Sequence, residues 1–241
     1  SAAIWAFVVL TSGIPMVALT LVALTRGVGL APVPSNWTLA HFADAIDGRL
    51  LAGLGRSFLL AILAATVGVA LGAAVTVLRG RRLGSWYGPA VLVTFAIPGS
   101  TLAVAMLLAY GSWLRDTLLL ILTAYVAKLW AVGHRAIAGS ADSIPSELYL
   151  AARLSGASPV SAGRDVLWPL LRPAITGGWL LIFVIAFHEL TMSSLLYGPG
   201  TETLAVSILN LQQLGDVPVS SALAVILTLP MFFVAISVLS P

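Results

Sequence analysis

Lys128, His188 and Glu189 are ionisable side chains well inside stretches otherwise apolar enough to cross a bilayer. A charge held in hydrocarbon costs at least about 2.5–3.5 kcal/mol unless it is paired or hydrated. With about 1.5 Å of rise per helical residue, Lys128 falls about 16 Å below one end of its span and Glu189 about 11 Å below the same end of the next. Long side chains close that gap, so the spacing predicts a Lys128–Glu189 pair facing the bundle interior. Such a pair could do one of two things: fix helix packing, or line a path or gate for a polar cargo. His188 falls on another face of its helix, where it serves either as a hydrogen-bonded interior histidine or as a cargo contact.

None of these residues completes a catalytic site. A zinc-protease helix needs a second histidine one turn after His-Glu, and His188-Glu189-Leu190-Thr191-Met192 ends in methionine. A phosphate-cradling loop needs Gly-x4-Gly-Lys-Ser/Thr, but the only lysine, Lys128, sits in an apolar stretch without those glycines. The chain has no cysteine, which excludes disulfides, thiolate metal sites and a cysteine nucleophile. The reading is therefore of a chain that is not an enzyme and binds no cofactor or metal of its own. Energy must come from a partner or from an ion gradient.

The elements that position these residues follow from composition. Of 241 residues, 59% are hydrophobic and 9% charged, against about 25% charged in soluble domains. Six windows are long and apolar enough to span hydrocarbon as helices: 2–24, 55–78, 87–110, 117–139, 174–196 and 218–240. Ten-residue alternation of polar and apolar residues, the mark of a membrane β-barrel, is absent. The predicted fold class is thus all-α: a polytopic membrane helical bundle of about six transmembrane helices, forming one domain over 1–241.

Orientation is read from the arginines, because basic loops stay in the cytoplasm. Arg79, Arg81, Arg82, Arg135, Arg153, Arg164 and Arg172 fall to one side, and Arg26, Arg49, Arg56 and Arg115 to the other. Asp44, Asp47, Asp116, Glu202 and Asp216 join the second group. The first side is then cytoplasmic, as are both chain ends. The net charge of +3 is this loop excess rather than a nucleic-acid footprint, so no nucleic-acid partner is expected. Ser1 and Pro241 look like cuts from a longer chain, the latter falling inside an apolar window.

Two features interrupt the apolar pattern. Ile97-Pro98-Gly99-Ser100 breaks the third window: proline removes a backbone donor and clashes one turn back, so a kink is expected. A broken membrane helix survives where it is buried in protein or faces a water-filled path, which makes Pro98 and Gly99 candidates for a path or gate, with plain packing as the alternative. The second feature is a polar connection of about 140–172. Ser143 or Ser146 can cap a helix with Pro145 and Glu147 in its first turn. Gly156 can end that helix in a left-handed conformation, and Ser158-Pro159 restarts a second one. Ala152 and Gly156 stand one turn apart, so a foreign surface could approach this backbone closely.

That connection resembles the transmembrane permease subunits of binding-protein-dependent ABC importers. Their loop signature reads Glu-Ala-Ala, three residues, Gly, nine residues, Ile-x-Leu-Pro. Here Ala151, Ala152, Gly156 and Pro169 match, Val166 is conservative, Leu150 replaces the glutamate and Trp168 the leucine. Ile97-Pro98-Gly99-Ser100, Glu189 to Tyr197 and Gly200 to Ala205 further resemble the ferric-iron branch, in which two six-helix halves are commonly fused, and the chain looks like the second half. The resemblance implies a type I importer permease in the inner membrane, multi-pass, with the loop as its ATPase-coupling element and Glu147 standing in for the missing glutamate. It implies an ATP-binding cassette ATPase dimer that carries the ATP and Mg, a second permease half, fused or separate, and a periplasmic or lipid-anchored substrate-binding protein. An ion-coupled secondary transporter using Glu189, His188 and Lys128, or a scaffold whose loop recruits cytosolic proteins, are the competing readings.

Overall fold

The six apolar windows are helical over most of their described length in the computed structural model, which describes residues 6–7, 9–46, 48–78 and 87–239. A π-turn over Val9–Gly13 runs into α1 (Ile14–Leu24); after a loop come the short α2 (Ala40–Asp44) and the long α3 (Gly48–Leu78). The third window is split into α4 (Tyr87–Ala96) and α5 (Gly99–Leu114), followed by α6 (Leu118–Asp142). The polar connection holds α7 (Ser146–Leu154) and α8 (Pro159–Ala162), then a π-turn leads into α9 (Trp168–Phe187). The chain closes with α10 (Ser193–Leu196), α11 (Leu204–Gln213) and α12 (Val217–Leu239). Among the described residues the one β-type pairing is an isolated bridge between Thr25 and Trp37.

Among the described residues, three helical runs are long and apolar enough to cross a membrane: Leu50–Leu78, Leu118–Asp142 and Pro159–Phe187. The pair α4–α5 adds a fourth if its two arms count as one span, and Val9–Leu24 and Val217–Thr228 are shorter apolar helices. Two sequence expectations change here. The break at Ile97-Pro98 is a bend of 103° rather than a kink. The fifth window is not one span: α9 ends at Phe187, and the chain leaves the helix before the four-residue α10.

The chain divides into two compact units, one of Ser1–Leu54 with Leu204–Pro241 and the other of Gly55–Thr203. In the first, α12 packs along α1, with α2 and α11 against α12. The second is organised around α6, which α4, α5, α9 and α10 all contact. Leu120, Ile121, Ala124, Tyr125, Leu129, Ala131, Ile137 and Ala138 of α6 are buried, a helical spacing that turns most of the helix inward.

Small residues let α3 cross α6 at backbone contact. A Cβ on Gly72 would fall onto the backbone of Gly133 and His134, and one on Gly133 would lie 2.9 Å from the Gly68 carbonyl. Close approach of this kind is how membrane helices gain packing energy where lipid supplies no hydrophobic drive. Beside the crossing, the hydroxyl of Thr76 donates to the Gly72 carbonyl at 2.8 Å. Its oxygen then accepts from Nδ1 of the buried His134 at 2.9 Å, which fixes the imidazole tautomer.

Three of the charges placed on one side by sequence, Arg56, Asp116 and Glu202, make close contacts within this unit. Arg56 Nη1 donates to the Glu202 carbonyl (3.0 Å) and carboxylate (3.2 Å), and the Gly200 N–H reaches the other carboxylate oxygen. Asp116, with φ 60°, is tucked against Gly198 so closely that no Cβ would fit there. Arg56, Arg135 and Arg172 lie within α3, α6 and α9 rather than in loops. Arg79, Arg81, Arg82 and Asp47 lie outside the described residues, as does the Arg49 side chain.

Candidate functional site

The third window breaks because Pro98 offers no N–H. It takes the N-cap position of α5 with φ −59° and ψ 144°, which ends α4 and leaves its last carbonyls without helical partners. In a bilayer such carbonyls must be satisfied from within the protein. Lys128 of α6 does this: its ammonium donates to the carbonyls of Thr94 (3.0 Å), Phe95 (3.4 Å) and Ile97. Three protons meet three oxygens, and a positive charge sits at the negative end of the α4 dipole.

Lys128 therefore does not pair with Glu189. The depth expected for Glu189 assumed that its helix continues, whereas α9 has ended two residues earlier. Glu189 Oε1 instead accepts from the Met192 N–H at 2.9 Å, closing the turn that starts α10. Its backbone carbonyl accepts from the Ser193 hydroxyl at 2.9 Å and lies 3.2 Å from the Tyr125 hydroxyl, which also contacts Ser193. Tyr125 and Ser193 are buried. The two breaks touch, because Gly99 lies against Met192 and Thr191: a Cβ there would come to 3.4 Å from Met192 Cγ. His188 is exposed rather than interior, with Nδ1 3.0 Å from the Val184 carbonyl and its ring edge-on to Phe187. Tyr125 and Ser193 were missed by sequence reasoning. The one signal for Tyr125 was its place three residues before Lys128, on the same face of α6.

The polar elbow is built by local rules. Gly156 has φ 90°; its N–H bonds the Arg153 carbonyl and that of Ala157 bonds the Ala152 carbonyl, the two hydrogen bonds of a Schellman turn. Arg153 Nη1 donates back to the Ala157 carbonyl at 2.6 Å, and Ser158 caps α8 by accepting from the Ser161 N–H. The start of α7 differs from expectation. Pro145 holds its N-cap position with no side-chain bond, and Ser143 closes α6, donating to the Gly139 carbonyl. Pro169 stands in a helical run that continues from Pro159 to Phe187, and the π-turn Gly163–Leu167 just before it accommodates the donor it lacks. Glu147 and Ala151 are exposed and Ala152 half-buried. Leu154 is 89% and Val160 79% exposed, so the elbow presents apolar side chains that no described part of this chain covers.

Residues 65–240 match the family model described as the binding-protein-dependent transport system inner membrane component. The chain belongs to that family. It is a permease subunit of an ABC importer, a multi-pass inner-membrane protein that forms a translocation path and performs no enzymatic step itself. A protein described as a 2-aminoethylphosphonate transport system permease, PhnV of Salmonella typhimurium, is 29% identical over 81% of this chain and 76% of its own length. The putrescine transport system permease protein PotI of Escherichia coli is 27% identical, covering 92% of this chain and 85% of its own. The crystal structure of a bacterial ABC transporter that imports the acidic polysaccharide alginate superposes with TM-score 0.75 at 16% identity, covering 98% of this chain and 93% of that one. That likeness shows the type I permease fold. Neither sequence relative is named for ferric iron, so these relatives do not support the ferric branch expected from the motifs.

Proposed function

We propose that this permease is one membrane half of an ATP-driven importer, and that its elbow between Glu147 and Pro169 receives an ATP-binding cassette subunit in the cytoplasm. The observation that carries this reading is the elbow itself: a Schellman turn and a serine cap hold Leu154 and Val160 out at 89% and 79% exposure. Exposed apolar side chains on a rigid turn are the mark of a docking surface. Ala151, Ala152 and Gly156 keep the backbone low enough for a partner to approach, and exposed Glu147 supplies the acidic contact that Leu150 cannot. In this reading ATP and Mg belong to the partner dimer, a second permease half completes the path, and a periplasmic or lipid-anchored binding protein delivers cargo. Both chain ends then face the cytoplasm.

The path runs by the two helix breaks, with Pro98, Gly99, Lys128, His188 and Glu189 about it. Cargo selection rests with the binding protein, since the Lys128 protons and one Glu189 oxygen are already engaged by backbone. Phosphonate and polyamine are the cargo classes suggested by the relatives, ferric ion the one suggested by the motifs. Reconstitution with cognate ATPase and binding protein tests the whole reading. Uptake of 2-aminoethylphosphonate, putrescine or ferric ion should require ATP and binding protein and survive collapse of the ion gradients. Uptake that persists without the ATPase and stops with the gradient would sink it.

A further inference from the structure

We infer that Lys128 is a positioning residue for transport: its ammonium replaces the backbone donors lost at Pro98 and so holds the tip Ile97–Ser100 against the second break at Thr191–Met192. This inference rests on the reading of the two breaks as part of the path. A lysine half-buried in a membrane bundle is ordinarily assigned to an acidic partner or to cargo. Lys128 has neither role open to it, because all three of its protons go to carbonyls of one short segment, Thr94, Phe95 and Ile97. Those carbonyls are the ones that a continuous helix would have bonded to N–H groups beyond residue 97. The 103° bend between α4 and α5 thus depends on a side chain from a third helix. The bend in turn sets where Gly99 lies, and Gly99 is the residue that meets Met192.

The second break hangs from the same helix. Tyr125, one turn from Lys128, holds Ser193 and the Glu189 carbonyl. Helix α6 is accordingly a post carrying two interrupted helices whose tips touch, and Lys128 is the attachment of the first tip.

The chain has no cysteine, so an introduced pair reports tip position without background. Gly99→Cys with Met192→Cys is the suitable pair, since a Cβ at 99 lies 3.4 Å from Met192 Cγ, within reach of a disulfide. In membranes holding the complete importer, this pair should cross-link readily under a mild thiol oxidant. Adding Lys128→Met, which removes every donor, should lower the yield roughly tenfold, about the factor that one hydrogen bond to a charged group supplies. Lys128→Arg, which keeps charge and donors, should restore most of it. Undiminished cross-linking in Lys128→Met overturns the inference, and so does equal loss in Lys128→Met and Lys128→Arg. Should Lys128→Met not accumulate in membranes, Lys128→Ser, whose hydroxyl ends far short of those carbonyls, takes its place, and a full yield there is equally fatal. Failure of the unmodified assembly to import in an ATP-dependent manner would sink the importer reading instead and leave the cross-linking result standing.

Discussion

Tyr125 and Lys128 stand three residues apart on α6, and each reaches a different interrupted helix: the Tyr125 hydroxyl lies 3.2 Å from the Glu189 carbonyl, and the Lys128 ammonium 3.0 Å from that of Thr94. Residues at this spacing share a helix face. One face of one helix therefore satisfies the backbone groups freed at both breaks, a requirement that the bilayer makes strict. The arrangement places two interrupted segments of the Gly55–Thr203 unit side by side and anchors both to α6.

Tyr125→Phe should loosen the second break without moving the first. Two hydroxyl protons serve the three contacts among Tyr125, Ser193 and Glu189, and removing one leaves the buried Ser193 oxygen short of a donor. The expected cost is about 1 kcal/mol, read as a lower Tm of the purified permease. Ser193→Ala in the same background should add little, since the two act as one network. Full additivity of the two changes would show that the hydroxyls act separately.

The α3–α6 crossing gives a sharper contrast. Gly72→Ala and Gly133→Ala each drive a Cβ into backbone, which cannot yield as a side chain tip can. Each should cost about 1–3 kcal/mol or more, as overpacked cores do. Gly139→Ala is the control: it lies on the exposed side of the same helix with nothing within 4 Å, and should gain up to about 1 kcal/mol from helix propensity. Thermal unfolding of the three variants in one detergent decides this, and a Gly72→Ala protein as stable as Gly139→Ala would contradict the packing described.

Arg56 is predicted to act through backbone as much as through charge. Its Nη1 serves both the carbonyl and the carboxylate of Glu202, and its side chain is 25% exposed. Arg56→Ala should cost about 1 kcal/mol, near the upper end for a partly exposed pair, and speed amide exchange at Gly200. Reversing both charges, with Arg56→Glu and Glu202→Arg, should not rescue, because a glutamate cannot donate to the carbonyl. Recovery of the lost stability by the swap, read as Tm, would reduce the contact to a simple ion pair.

Much of this was legible from sequence, and the exceptions share a cause. The six helical windows followed from hydropathy, which responds to burial in lipid irrespective of topology. Gly156 and Ser158 were legible because caps are local. The partner of Lys128 was not, because its position depends on where α9 stops, and nothing in the run from Trp179 to Leu196 marks Phe187 as the last helical residue. Pro98 announced a break, but a proline shows only that carbonyls are freed and not which helix supplies their donors. Ser143 and Ser146 failed as caps of α7 for a similar reason: Pro145 holds the N-cap position, Ser146 is already the first helical residue, and Ser143 was taken by the end of α6.

At the elbow, shape and surface can be separated by two substitutions. Gly156→Leu places a side chain at φ 90°, which costs about 1–2 kcal/mol, and it opens the Schellman turn while the membrane helices stay intact. Leu154→Asp leaves the turn alone, since Leu154 is 89% exposed among the described residues, but puts a charge on the face offered to the ATPase. Leu154→Asp should leave the Tm of the permease nearly unchanged, and Gly156→Leu should lower it by a few degrees. Both should also weaken capture of the ATPase by about tenfold or more, the effect of losing a central contact. They differ in the hydrolysis that remains: complexes forced together at high ATPase concentration should recover binding-protein-stimulated transport for Leu154→Asp, whose turn still transmits displacement. Gly156→Leu should hydrolyse ATP without transporting. Identical recovery of both would mean that the turn serves adhesion alone, and that displacement enters the permease by another route.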